Sequence, residues 1–284
     1  MLMWFNKTIL NLNLSSVLVL AISLFLYGSN SYAESHLEKA QPNKTSNKFT
    51  LWQNPQYILK SFQEIALKNE YKKTHKRILK WQQPIRYQFN YQHLKKNNLV
   101  EKLFNAHLKH LADITGLDIQ PAKNSVANFT IYLTKDKNYA DIIKKYTGST
   151  VKNLEKDSHC MGSYKTNKQN EIIQADVVLP VDHDYSRGLL VSCVVEETTQ
   201  VLGLPNDASW VNPSIANDDS KIELLTGLDY ILLKLLYNSE IKAGMSQTES
   251  QKVLKKEIQQ LMDNGEVKNA AKTVNSKGLY QLVN

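Results

Sequence analysis

The sequence contains only two cysteines, Cys160 and Cys193. A zinc site built on two cysteines is not expected in an oxidising compartment. In an exported chain an even pair reads as one disulfide, Cys160–Cys193. No glycine-rich phosphate loop occurs, and no internal repeat. An arginine-rich stripe or interleaved aromatic platform of the nucleic-acid-binding kind is also missing, so nucleic acid is not an expected partner. Ser186 and Ser192 lack the strand–turn setting of a serine nucleophile elbow.

The amino terminus indicates the compartment. Met1–Asn13 carry one charge, Lys7, and the apolar run Val17–Leu26 follows. Ser31 and Ala33 then stand as small residues where a signal peptidase needs them. Residues 1–33 therefore read as a secretory signal peptide, which makes the chain periplasmic or secreted. The apolar core is short for a membrane span of about 20 residues. An uncleaved anchor over Ile9–Tyr27 is the one expected route to a membrane. No cysteine lies near the cleavage point, which argues against a lipoprotein anchor. Without Lys7 the balance is 34 basic against 27 acidic residues. The lysines are scattered, as in Lys95-Lys96 and Lys144-Lys145, and read as a solvated basic surface.

Residues 34–50 are polar and read as a flexible leader. The rest, 51–284, is long enough for one packed domain. Apolar spacing predicts a helix from about Gln56 to Trp81. Pro84 introduces the strand IRYQFNY, and Leu99 to Ile114 form a helix closed by Gly116. Strands follow at Phe129–Leu133 and Glu171–Val181, with a short helix near Tyr139–Tyr146 between them. A helix over Ser186–Leu202 comes next, then one over about Leu228–Tyr237. Ser246-Gln-Thr-Glu249 is a capping box that opens a last helix reaching about Met262. Strands mixed with and followed by helices give an α+β fold: a small mixed sheet, a long central helix and C-terminal helices.

The stretch CVVEETTQVLGLPND, Cys193 to Asp207, carries the most chemistry. It has the spacing of a metzincin zinc-protease helix, His-Glu-x-x-His-x-x-Gly-x-x-His, without its histidines. The ligand positions fall on Glu196, Gln200 and Asn206, the general-base position on Glu197, and the glycine on Gly203. Residues four apart share a helix face, so Glu196 and Gln200 project together. Val191, Val194, Val195, Val201 and Leu202 make the opposite, apolar stripe. Gly203 and Leu204-Pro205 turn the chain so that Asn206 or Asp207 returns toward the Glu196/Gln200 face. Zinc is usually held by imidazole or thiolate. One carboxylate with two amides is a weak oxygen set, better matched to calcium or magnesium. No metal and no cofactor is expected, beyond a weakly bound divalent cation.

This segment, the following PSIANDDS and LTGLDYILLKLLYNSEIKAGMS resemble an exported bacterial family catalogued as domain of unknown function 2927. The similarity in organisation spans about Tyr87 to Leu261 and is specific over Cys193–Met245. The resemblance implies a shared site of Glu196, Glu197, Gln200, Asn206 and Asp207 on a zincin-like helix whose histidines have been replaced. It supplies no reaction.

Other groups are weaker. Asp182, His183 and Asp184 precede the central helix and read as a polar turn with a helix cap rather than a cation site. His107 and His110 are expected at a boundary or solvent position. Asp218, Glu223 and Asp229 follow at distances where some zincins place a further ligand. The leading expectation is a zincin-like, non-catalytic pseudo-metallopeptidase that binds or assembles an envelope protein or peptide. The alternative is a hydrolase with Glu197 as general base, its pKa raised by Glu196.

Overall fold

The computed structural model describes residues 48–69, 76–123, 125–147, 158–217 and 219–283. The expected signal peptide, most of the leader, and Asp218 lie outside the described residues. A 3-10 turn, Lys48–Gln53, leads into helix α1, Pro55–Leu67. Asn54 Oδ1 accepts the N–H groups of Gln56 and Tyr57, and Pro55 presets the first helical φ. Ile58, Phe62 and Ile65 bury one face of α1.

The helix expected to continue to Trp81 stops at Leu67, and Lys80–Trp81 form strand β1. The polar stretch after Leu67 supplies no apolar stripe to hold a helix on the core. Trp81 is instead buried from an extended backbone, its Nε1 donating to Val201 O at 2.9 Å.

The sheet is completed by β2 (Ile85–Tyr91), β3 (Ile119–Pro121), β4 (Phe129–Thr134), β5 (Met161–Thr166) and β6 (Glu171–Pro180). Its order is β1–β6–β4–β2–β3, all parallel, and β5 runs antiparallel to β6. Phe129 of β4 sits opposite Tyr87 on one side and Ala175 on the other. All six β4 residues are buried, as expected where a parallel strand is covered on both faces. Helix α2 (Asn98–Thr115) connects β2 to β3, and α3 (Asp136–Tyr146) follows β4. The architecture is a mixed α/β sheet with helices.

The expected long central helix is two helices. β6 runs into α4, Val181–Arg187, which ends at Gly188, and α5 follows over Leu190–Gln200. Gly188 has φ 73° and its N–H closes on the Asp184 and Tyr185 carbonyls, a left-handed cap that redirects the axis. Val194, Val195, Val201 and Leu202 are buried, as the apolar stripe requires, while Val191 is only partly buried. Gly203 has φ 111°, and a Cβ there would stand 2.1 Å from Leu79 O.

The C-terminal part begins with α6, Gly227–Leu236, which is apolar on nearly every side and buried. Helix α7, Gln247–Asp263, carries the expected capping box of Ser246 and Glu249. It is not the last helix: α8 (Glu266–Asn275) and α9 (Tyr280–Val283) follow. Among the described residues no helix is long and apolar enough to cross a membrane.

His107 and His110 depart from their expected boundary position. Both are buried on α2, and His107 Nε2 lies 3.5 Å from Thr199 Oγ1 of α5. Burial lowers their pKa values to about 3 and about 4, so both are neutral packing residues. The sequence signal misleads because a neutral imidazole satisfied by a hydroxyl packs much like an apolar side chain.

Candidate functional site

Cys160, immediately before β5, is bonded to Cys193 in the first turn of α5, with Cα atoms 5.8 Å apart. The bridge fastens the start of β5 beside the next turn of α5, which carries Glu196 and Glu197. A disulfide of this kind suits an oxidising, extracytoplasmic environment. Gly162 on β5 has no side chain, and Glu197 takes the vacated space. A Cβ at Gly162 would stand 2.7 Å from Glu197 Oε2 and 2.9 Å from Val201 Cγ1. Glu197 is consequently 5% exposed.

Glu196, Glu197, Gln200 and Asp207 line one cleft of about 730 Å³. Gln200 Nε2 donates to both oxygens of Asp207, at 3.1 and 3.1 Å, and reaches Glu196 Oε1 at 3.5 Å. The turn after α5 therefore returns Asp207 to the Glu196/Gln200 face. Asn206, the position the histidine spacing points to, does not line the cleft. It is buried, and its amide donates to Asp207 O at 2.9 Å. The three-point arrangement is Glu196, Gln200 and Asp207.

Glu223 lines the same cleft, along with Lys221, Arg187 and His159. Asp229 is occupied elsewhere: it caps α6 through Thr226 N and accepts from Ser214 Oγ and Ile215 N. Asp182, His183 and Asp184 lie within α4 rather than in a polar turn capping the central helix, and Asp182 Oδ1 accepts from the N–H groups of Asp136, at the start of α3, and His183.

Tyr139 and Asp184 are buried, and the charges of Glu197 and Asp184 both act on the Tyr139 phenol. The Tyr139 hydroxyl is 3.3 Å from Ser158 Oγ. Burial raises its pKa above the ordinary tyrosine range, and the charges of Glu197, Asp184 and Asp136 add to the effect. Asp184 is fully buried, and among the described residues neither of its oxygens has a hydrogen-bond partner. Burial, then the charges of Asp136 and Asp182, push its carboxyl up to about 8, so it is largely protonated at neutral pH.

The donor set is a poor match to zinc. Glu196 and Asp207 contribute carboxylates, and Gln200 turns its NH₂ group toward both of them. That group donates, occupying the acceptor oxygens a cation would need. No imidazole or thiolate belongs to the three-point arrangement.

Sequence reasoning missed Gly162, Tyr139 and His159. The signal for His159 is indirect: it adjoins Cys160, and the disulfide draws it toward the chain entering α5. Nothing local marks Gly162, whose role depends on a contact across the fold.

Residues 55–256 match the family described as protein of unknown function (DUF2927), and the chain belongs to that family. No curated protein and no solved structure matches it.

Proposed function

We propose that this chain is an exported, zincin-like pseudo-metallopeptidase that binds or assembles a protein or peptide in the periplasm or cell envelope. One observation carries the reading. The helix bearing Glu196-Glu197-x-x-Gln200 has the spacing of a zinc-protease helix, and in the cleft Gln200 donates to Asp207 and Glu196 in place of a metal set. The order of elements supports the zincin-like part, since β6 leads through α4 into the helix bearing Glu196-Glu197-x-x-Gln200. The disulfide supports export. On this reading the cleft carries no zinc.

A photo-crosslinking amino acid at Lys221 or Ile222, both on the cleft wall, tests the binding role in cells. A discrete adduct that persists in Glu197→Gln supports a binding module. The second reading, a hydrolase, is favoured by Glu197 itself, a nearly buried carboxylate beside Glu196 in the cleft. Loss of the chain's cellular activity in Glu197→Gln, with folding intact, would establish the hydrolase instead.

A further inference from the structure

Two histidines from separate parts of the chain meet beside the cleft. His159 Nδ1 lies 3.0 Å from His183 Nε2, with the rings near parallel and their centroids 5.2 Å apart. His183 Nδ1 lies 3.6 Å from Asp136 Oδ1. Each of the three residues is anchored. His159 adjoins the Cys160–Cys193 bridge, His183 opens α4, and Asp136 opens α3. Asp182 ties the last two together by accepting both their backbone N–H groups.

We propose that His159 and His183 form a two-imidazole site for a borderline divalent transition ion, Cu(II) above all. Two metal–nitrogen bonds of about 2.0 Å spanning 3.0 Å would meet at roughly 95°, near the right angle of a tetragonal copper site, once both rings turn from their nearly head-on hydrogen-bonded arrangement to aim at the ion. Imidazole suits copper, and copper stands highest among the divalent ions in affinity for such ligands. The Asp136 carboxylate favours the proton on His183 Nδ1, which leaves the Nε2 lone pair directed at His159. A carboxylate behind a ligating histidine is the usual supporting arrangement. Before metal enters, the two rings share a hydrogen bond. Binding asks neutral His159 only to carry its proton on Nε2 rather than Nδ1, with no net release. His159 is solvent-exposed and lines the cleft, so water or a cleft ligand completes the coordination. Among the described residues no group of three or more His, Cys, Asp or Glu is placed to hold a metal, so the site is two-point and exchangeable. It does not depend on the cleft's proposed binding role.

The test is Cu(II) titration of the untagged chain carrying His36→Ala, which removes competition from a histidine near the amino terminus. The expected result is one Cu(II) per chain, with an electron paramagnetic resonance spectrum showing two imidazole nitrogens. His159→Ala and His183→Ala should each remove one nitrogen from that spectrum and weaken binding by at least about tenfold, and Asp136→Asn should weaken it by about tenfold. A parent spectrum with one nitrogen or none overturns the proposal without recourse to any variant. So does undiminished copper affinity in the two histidine variants.

Discussion

Gly162 and Glu197 compete for one volume: the carboxylate of Glu197 occupies space that any Cβ at residue 162 would enter, at 2.7 Å. The edge strand and the helix thus approach as closely as they do because one residue lacks a side chain. Gly162→Ala must displace Glu197, Val201 or the strand itself. Overpacking of this kind costs about 1–3 kcal/mol. Denaturant unfolding should show that loss, and Gly162→Ala combined with Glu197→Ala should lose clearly less than the sum of the two. Additive losses, within about 0.5 kcal/mol, would mean the contact is not what limits the approach.

The disulfide closes a loop with a sequence separation of 33 residues. In the chain-entropy model, removing it with Cys160→Ala and Cys193→Ala costs about 3–4 kcal/mol. Because the bridge lies one turn from Glu196, the loss should be accompanied by looser positioning of α5. Hydrogen exchange of the Glu196–Gln200 amides should rise more than that of β4. Maleimide should label no thiol in unfolded, unreduced parent protein; two labelled thiols would remove the premise.

Buried ionisable groups set opposing pH dependences. Asp184 keeps its proton in the native state up to about 8, whereas an unfolded aspartate loses it near 3.8. A raised carboxyl pKa makes folding progressively less favourable as pH rises from 3.8 to about 8. Asp184→Asn should therefore match the parent more closely at pH 4 and gain on it toward pH 8, by roughly 1–3 kcal/mol. His107 and His110 act the other way. Their pKa values are depressed to about 3 and about 4. The unfolded chain takes up protons below about 6.5 that the native state refuses, so stability falls as pH drops from there toward 4. His107→Asn should flatten that acid limb whatever it does at neutral pH. Urea unfolding at a series of pH values reads both slopes.

Legibility followed the locality of the signal. The strands at 85–91, 129–134 and 171–180 were visible because long β-branched and aromatic runs lie at the centre of the sheet. β1 and β3 have two and three residues and exist only through their neighbours. β5, MGSYKT, is a polar edge strand with a glycine and gives no alternation to read. Gly188 was the missed sign that the central helix divides. At the site, Glu196 and Gln200 were legible from helical spacing. The choice of Asp207 over Asn206 depended on a turn whose geometry no periodicity encodes.

That choice makes the proposed zincin-like geometry testable apart from its use. Glu196, Gln200 and Asp207 already converge, with Gln200 within 3.5 Å of both carboxylates. Replacing all three by histidine should rebuild a three-imidazole set with an open fourth position, the arrangement of catalytic zinc. Glu197, on the same helix and lining the same cleft, would stand as its general base. The triple variant should bind zinc more tightly than the parent by calorimetry. Zinc should raise its melting temperature by mass action, while each single histidine variant gains little. Moving the third histidine to Asn206 should forfeit most of the gain, because that side chain points away from the cleft to the Asp207 carbonyl. Activity is a separate question, since a catalytic site also needs supporting hydrogen bonds and a substrate pocket. A folded triple variant with no more zinc affinity than the parent would show that these positions do not form a metal-sized site. The spacing of the central helix would then reflect its amphipathic packing alone.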